Sequence, residues 1–386
     1  MTPHLHHRTD GAATAPPLLL GPSLGTSLSL WDALVPTLSR KHHVVRFDLP
    51  GHGGTPTAVL PDPDRASVAD LAALVLDLAD RLGLDRFDYA GVSLGGAIGG
   101  WLAVHHPERV RSLTVICSSA RFGEPQGWLD RAALVRAQGT PALVDASAAR
   151  WFTPAFAGSP TAAALLDDLR AADPVGYAAC SRALAGFDLR ADLAGITAPT
   201  LVVAGREDPA TPPAHSRALA DGIPGAALVE IPGAAHLAPA EQPSRVLGAL
   251  TAHLAPATSS ERGTAVRRAV LGDAHVDRAA AGTTDFTAPF QDLITRYAWD
   301  EIWTRPGLDR RTRSCVTLTA LVAHGHHDEL ALHVRAALRN GLSVQEIQEV
   351  LLQTAVYCGV PAANSAFAVA DRVLRQIHQE AAEADR

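Results

Sequence analysis

The stretch "FDYAGVSLGGAIGGWLAVHHP" (87–107) constrains the fold more than any other part of the chain. A run of strand character meets a sharp turn and then a run of helical patterning, and Ser93 sits in the turn as Gly91-x-Ser93-x-Gly95. A strand that feeds directly into a helix packs closely at the corner, so only small residues fit beside the serine; Gly91, Gly95 and Gly96 meet that demand. The turn holds the serine in a strained backbone conformation that presents its hydroxyl to a cleft. It also aims the Leu94 N–H, at the start of the helix, at an oxyanion forming on any carbonyl that Ser93 attacks. The bare Gly-x-Ser-x-Gly string occurs often by chance; the strand-turn-helix context carries the reading.

The rest of the first two-thirds fits that context. "PPLLLG" (16–21), "HVVRFDLPGHG" (43–53), "VRSLTVICSS" (110–119), "PTLVVAG" (199–205) and "AALVEIPG" (226–233) are short apolar strands. Helical segments separate them, such as "SVADLAALVLDLADRLGL" (67–84), which Ser67 and Asp70 open as a variant of the capping box. This alternation predicts a mostly parallel sheet with crossover helices. A nucleophilic serine needs a base, and the base needs an orienting acid. Asp208 follows the strand "LVVAG" and His236 follows "ALVEIPG", so both fall at the carboxyl ends of strands. The chain order Ser–Asp–His is that of α/β-hydrolases. Glu207 is the rival for the acid. The second oxyanion donor belongs in "GPSLGTS" after the first strand; Pro22 has no N–H, which leaves Ser23, with Leu24 as the fallback. His42, His43, His105 and His106 read as surface or packing residues.

At 386 residues, with 47% hydrophobic and 19% charged, the chain is expected to form two ordinary globular domains. A net charge of -7 and no basic cluster argue against nucleic acid as a partner. Lys41 is the only lysine, which reads as codon bias. No apolar run is long enough to span a bilayer, and "MTPHLHHRTDG" is too polar for a secretory signal, so a cytoplasmic location is expected. Cys117, Cys180, Cys315 and Cys358 form no CxxC pair and read as reduced thiols. "APATSSERG" has the composition of a linker, and beyond it the patterning is wholly helical. The expected organisation is therefore a first domain over 1–255, a linker over 256–263 and an all-α domain over 264–386.

In the helical part, "FTAPFQDLITRYAWDEIW" (286–303) places Phe286, Phe290, Leu293, Ile294 and Tyr297 on one stripe. "SVQEIQEVLLQTAVYCG" (343–359) opens with a Ser343/Glu346 capping box. His326, Glu329 and His333 are spaced i, i+3 and i+7, along one side of a helix. Three readings stay open for them: an acid/base site, a solvated face, or part of a metal site whose remaining ligands are not evident.

Two resemblances sharpen this. "LLLGPSLGTSLSLWDALVPTL", "VVRFDLPGHGGTP", "DYAGVSLGGAIGGWLA", "VAGREDPATPP" and "IPGAAHLAPAEQP" resemble the 3-oxoadipate enol-lactonases, which are α/β-hydrolases, over nearly all of 1–255. The resemblance implies a helical cap at about 121–187 and catalysis by Ser93, Asp208 and His236. It also implies a cation for the acetate arm of the lactone, for which Arg121 is the candidate, with Trp128 and Trp151 walling the ring. "VLGDAHVDRA", "FTAPFQDLITRYAW", "IWTRPGLDRRTRS", "HDELALHVRAALRNG" and "YCGVPAANSAF" resemble the 4-carboxymuconolactone decarboxylases over almost all of 264–386. That resemblance implies His333 as proton donor with Glu329 assisting it. Arg313 is the candidate for holding a carboxylate or the dienolate, with Tyr357 a weaker one. His326-His327 departs from the Asn-Trp expected there, which leaves His326 without a role. No cofactor is expected, because the lactone supplies its own electron sink. Small-molecule lactones are the expected substrates, in two consecutive steps of the protocatechuate branch, by a homo-oligomer assembled through the helical domain. The alternative is a generic esterase or perhydrolase carrying a helical assembly domain.

Overall fold

A computed structural model describes residues 3–255 and 258–384, which fall into two units, Met1–Ala255 and Pro256–Arg386. In the first unit seven strands make one sheet: β1 (His7–Asp10), β2 (Pro17–Gly21), β3 (His43–Phe47), β4 (Phe87–Val92), β5 (Val110–Ile116), β6 (Thr200–Gly205) and β7 (Ala227–Ile231). Their order is β1-β3-β2-β4-β5-β6-β7, with β1 antiparallel to β3 and every other pairing parallel. The parallel strands read as unbroken apolar runs because both faces are covered: Leu18, Leu19, Leu20, Val44, Val45, Phe47, Leu113 and Val202 are all buried. β1 was not legible in the sequence. It is a short polar edge strand, "HRTD", whose pairing with β3 rather than any apolar alternation defines it.

Helices pack on both faces. α1 (Val68–Arg81) opens with the expected capping box, Ser67 N–H donating to Asp70 Oδ2 at 2.8 Å and Asp70 N–H to Ser67 Oγ at 3.2 Å. α2 (Leu94–His105) follows β4 directly and is buried along most of its length, so it carries no polar face. Between β5 and β6 lie four helices, α3 (Pro125–Gln138), α4 (Val144–Trp151), α5 (Pro160–Ala171) and α6 (Pro174–Ala185). They fall within the helical cap expected at about 121–187, but the segment "RWFTPAF" (150–156) does not continue as a helix past Trp151. Thr153 precedes a proline, which disfavours helical backbone, and its N–H and hydroxyl are instead donated to the Glu241 carboxylate at 2.9 and 3.0 Å. α7 (Pro213–Gly222) and α8 (Pro243–His253) complete the unit.

The second unit is all helix: α9 (Ser259–Leu271), α10 (Asp273–Ala281), α11 (Ala288–Ile294), a π-helix (Thr295–Ile302), α12 (Arg310–His324), α13 (His327–Arg339), α14 (Val344–Tyr357) and α15 (Val360–Ala384). Leu318, Val322, Leu330, Val334, Ile347, Leu351 and Ala366 form its core. The linker expected over 256–263 is corrected by α9, which begins at Ser259. Thr258 and Glu261 form a capping box, with Thr258 N–H donating to Glu261 Oε2 at 2.7 Å. Ser, Thr and Glu are enriched in linkers and at helix starts alike, so composition alone misread the segment. The stripe expected at 286–303 is split between α11 and the π-helix and faces outward: Phe286 is 93% exposed, and Phe290, Leu293 and Tyr297 are exposed too. No helix is long and apolar enough to cross a membrane among the described residues.

Candidate active sites

Ser93 has φ 55 and ψ -113, a left-handed conformation that a non-glycine residue holds only under constraint. The constraint is packing at the corner. A Cβ on Gly95 would lie 2.4 Å from Gly21 O, and one on Gly91 would lie 2.2 Å from the Gly95 carbonyl carbon. Hydrogen bonds fix the turn from several directions: Ser93 N–H to Ile116 O (2.9 Å), Ser118 Oγ to Ser93 O (2.7 Å), Gly95 N–H to Pro22 O (3.1 Å) and Tyr89 Oη to Gly95 O (3.0 Å).

His236 and Asp208 meet in the loops after β7 and β6, with His236 Nδ1 2.9 Å from Asp208 Oδ2 and both side chains buried. Glu207 points elsewhere, accepting from Ala234 N–H at 3.1 Å. Thr211, which the sequence reading passed over, donates its hydroxyl to Asp208 Oδ2 at 2.7 Å, while Ala210 and Thr211 N–H bond Asp208 Oδ1 at 2.7 and 3.0 Å. Burial raises the Asp208 carboxyl, but the His236 charge and these hydrogen bonds outweigh it, so the net shift is downward. The acid is therefore held ionised beside the imidazole. Ser93 and His236 border a common neighbour: Ile116 accepts from Ser93 N–H, and the adjacent Cys117 Sγ approaches Ala235 O at 3.6 Å. No hydrogen bond joins Ser93 Oγ to His236 among the described residues, a contact that commonly tightens only when substrate arrives.

The loop after β2 uses some of its N–H groups internally. Gly25 N–H is bonded to His52 Nε2 (3.1 Å), Thr26 N–H to Ser23 O (3.1 Å) and Gly95 N–H to Pro22 O. The N–H groups of Ser23, Leu24 and Leu94 have no acceptor among the described residues, although all three residues are buried. Buried donors without partners are rare, and these three lie in the loop after β2 and at the start of α2. Ser23 and Leu94 are the pair expected.

Trp151 stands against this loop, its ring 3.1 Å from where a Gly25 Cβ would lie, and its carbonyl accepts from Leu237 N–H at 3.2 Å. It therefore borders both the oxyanion loop and the His236 loop. Trp128 is farther out, donating Nε1–H to Phe122 O at 2.6 Å. Arg121, the expected substrate cation, has an acidic neighbour. It is paired with Glu124 at 3.1 Å and bridges to Asp188 through its backbone. That neutralises it in a partly exposed cluster. Two other cap arginines lack an acidic partner among the described residues. Arg131 in α3 donates to Tyr177 Oη at 3.2 Å and lies 5.3 Å from the Trp128 ring centroid. Arg150 in α4 is within electrostatic reach of Arg131, Tyr177 and Asp208, and burial followed by the Arg131 charge pushes its pKa down. Tyr177 in turn stacks on His52 at 5.9 Å. His52 Nδ1 lies 2.9 Å from Pro50 O while Nε2 accepts from Gly25, which fixes the Nδ1–H tautomer; burial lowers its pKa despite those raising contacts. Neither arginine had a sequence signal, because its significance lies in what is absent around it.

In the second unit, His333 is partly buried on α13, and Glu329 lies one turn before it, exposed. Burial, reinforced by the nearby His275 of α10, lowers the His333 pKa against the opposing pull of Glu329. His275, in the "VLGDAHVDRA" stretch, went unremarked in the sequence. His326 does not join this face as expected. It is the residue that precedes α13, its side chain makes no cap, and its exposed ring stacks on His324 at 6.0 Å. Arg313, the candidate for holding a carboxylate, donates to the carbonyls of Leu308 (3.2 Å) and Arg305 (2.8 Å) and so fastens the loop before α12. Tyr357 is 79% exposed, neither packed nor near His333 in any contact found. No group of three or more His, Cys, Asp or Glu that could hold a metal ion occurs among the described residues.

Comparison with known proteins assigns each unit separately. Residues 16–243 match the alpha/beta hydrolase fold family, and residues 288–372 match the carboxymuconolactone decarboxylase family. The first unit is similar to 3-oxoadipate enol-lactonase 2 of Acinetobacter baylyi, 39% identical over 241 residues, covering 62% of this chain and 88% of that protein. The second is similar to 4-carboxymuconolactone decarboxylase of the same organism, 44% identical over 117 residues, covering 30% of this chain and 87% of that protein. Among solved structures, the enol-lactonase from Burkholderia xenovorans LB400 aligns at 36% identity with a TM-score of 0.62, over 65% of this chain and 96% of that one.

Proposed function

Because the chain belongs to the α/β-hydrolase family through its first unit and to the carboxymuconolactone decarboxylase family through its second, we propose that it is a bifunctional lactone enzyme. It decarboxylates 4-carboxymuconolactone in the second unit and hydrolyses the resulting 3-oxoadipate enol-lactone to 3-oxoadipate in the first. These are two consecutive steps of the protocatechuate branch, carried out in the cytoplasm. The observation that carries this reading is the pairing itself: on one chain stand the likenesses of two enzymes, one of which makes what the other consumes.

In the second unit, the scissile carboxylate sits on a ring carbon joined through a double bond to the lactone carbonyl. As its C–C bond breaks, CO2 leaves and the electron pair moves through the ring to the carbonyl oxygen. His333 delivers a proton to the ring carbon beside that carbonyl, with Glu329 orienting it. In the first unit, Ser93 Oγ attacks the carbonyl as His236 takes its proton, and Asp208 stabilises the imidazolium. The N–H groups of Ser23 and Leu94 receive the oxyanion. The ring C–O bond breaks, His236 returns the proton to the leaving enol, and water then cleaves the acyl-serine. Arg131 and Arg150, rather than Arg121, hold the acetate arm, and Trp151 walls the ring.

Homo-oligomerisation through the second unit belongs to the same reading. Fourteen large apolar side chains are exposed among the described residues; two, Leu129 and Leu134, are in the first unit and the other twelve in the second. A second copy of this unit is the partner such self-complementary apolar faces suit.

The test is to supply 4-carboxymuconolactone to the full chain and follow both products by NMR. Ser93→Ala is expected to accumulate enol-lactone, its hydrolysis slowed by roughly 10⁴-fold or more. His333→Ala is expected to slow decarboxylation by roughly 10²- to 10⁴-fold while added enol-lactone is still hydrolysed. A Ser93 variant that builds up no intermediate would sink the two-step reading.

A further inference from the structure

The arginines of the second unit divide by what they touch. Arg262, Arg268, Arg296, Arg311, Arg335 and Arg375 each pair with an Asp or Glu. Arg313 and Arg339 bond backbone carbonyls. Arg278, Arg305, Arg310 and Arg372 also pair with no carboxylate among the described residues but are exposed, and Arg267 differs from them in its burial. It is partly buried on α9, its Nη1 donates to Gln291 Oε1 at 3.0 Å, and its Nε is buried with no acceptor. No carboxylate pairs with it among the described residues. A half-buried guanidinium with an unsatisfied donor carries a standing desolvation cost, which an incoming anion would relieve.

Its position relative to the proton donor follows from the packing. Val270 and Leu271 of α9 pack in one cluster with Ala336 of α13, and Leu332 of α13 lies against it. Arg267 is one turn before Val270 and Leu271 on α9, and His333 follows Leu332 on α13. His275 of α10 bridges the two electrostatically, being within reach of Arg267 and of His333. Burial, then the charges of Arg267 and Arg278, lower the His275 pKa, so two arginines act on this side of the site while the exposed Glu329 acts on His333.

We propose that Arg267, beside His275, is the carboxylate anchor of the decarboxylase site and takes the carboxylate that the lactone retains, which aims the ring at His333. The substrate bears two carboxylates, and only one can be gripped productively. A guanidinium on the departing group would stabilise the ground state and be lost on the way to CO2, which raises the barrier. On the retained acetate arm it binds ground and transition states alike and serves as a fixed point from which the ring is oriented. Arg267 is thus a binding residue for an anionic lactone acid, and it rests on the placing of proton transfer at His333.

The test uses the full chain and measures loss of 4-carboxymuconolactone. Arg267→Gln is expected to raise KM by roughly 10- to 100-fold with kcat within a few-fold of wild type. Arg267→Lys should recover part of that loss, and added guanidinium ion should lower the KM of Arg267→Ala, which a purely structural arginine would not allow. An unchanged KM in Arg267→Gln overturns the proposal. So does a fall in kcat at constant KM, because it would put the guanidinium on the departing carboxylate or the dienolate. Wild-type decarboxylation in His333→Ala would remove the proton donor and leave the KM comparison to decide Arg267 by itself.

Discussion

The two sites solve opposite problems. The first holds a poor nucleophile and must make it reactive, so the acid and the turn are tied by several hydrogen bonds: Thr211, Ala210 and His236 on Asp208, His52 on Gly25, Ser118 and Ile116 on Ser93. The second acts on a substrate that already carries its electron sink, and its polar groups are few and loosely tied. Glu329 is exposed, and His333 has burial and His275 rather than a fixed hydrogen bond to set its charge. Covalent catalysis demands preorganisation to fractions of an ångström; a decarboxylation driven by the substrate demands an anchor and one proton. The difference is why one site can be read as a motif and the other cannot.

The contrast predicts unequal sensitivity, and the hardest way to break it is at the elbow. Gly95→Ala puts a methyl 2.4 Å from Gly21 O and 2.8 Å from Pro22 O, neither of which can yield without opening the sheet. Enol-lactone hydrolysis is expected to be lost by more than about 10³-fold, with the first unit destabilised by about 3 kcal/mol or more in chemical denaturation. Decarboxylation measured on the same protein should persist; its loss would mean the two chemistries are not separable. The substrate cations come next. Changing both Arg131 and Arg150 to Gln is expected to raise KM for enol-lactone roughly 100-fold, while Arg121→Gln changes it by less than about threefold. An effect of Arg121 equal to that of the pair would restore the original assignment.

The pH profiles should sharpen the comparison further, because only one of them is expected to fall in this way as pH rises. Decarboxylation needs His333 protonated, and burial with His275 lowers its pKa, so kcat/KM should fall as pH rises, the decline starting below the ordinary histidine range. Above it the loss is roughly tenfold per pH unit. Hydrolysis uses His236 as a general base and should not share that fall. A decarboxylase profile that rises instead would remove His333 as the acid. The smallest effect expected is Thr211→Val, which takes one of several hydrogen bonds from Asp208 and should slow hydrolysis by roughly three- to tenfold, read in kcat.

What the sequence disclosed follows the same divide. The strands of the sheet are apolar runs bounded by turn residues, and the Ser93, Asp208 and His236 positions are fixed by where strands end, so both were visible. Arg131, Arg150 and His52 were not, since a cation's role depends on whether a carboxylate lies nearby, and that is a property of the fold. Arg121 meets the same limit: adjacency to a strand end said where it sits, but not that Glu124 would pair with it. In the helical unit, spacing put His326, Glu329 and His333 on one face. Spacing holds only inside a helix, and α13 begins after His326. The outward stripe of Phe286, Phe290, Leu293 and Tyr297 shows the converse limit, because periodicity reveals an apolar face without saying what covers it.

The capping box at Thr258 fixes where this chain can be divided. Starting the second unit at residue 264, after the polar stretch that looks like a spacer, would amputate the first turn of α9 and with it Arg262. Arg262 Nε and Nη2 grip the buried Asp300 carboxylate at 2.9 and 2.7 Å. Removing one partner leaves the other's charge without its counter-ion. A fragment from 256 keeps the cap, the ion pair and the packing of α9, whereas one from 264 carries an orphaned aspartate within its π-helix. For anyone separating the halves, or grafting either onto a new neighbour, the seam lies ahead of Thr258, eight residues upstream of where composition would set the scissors.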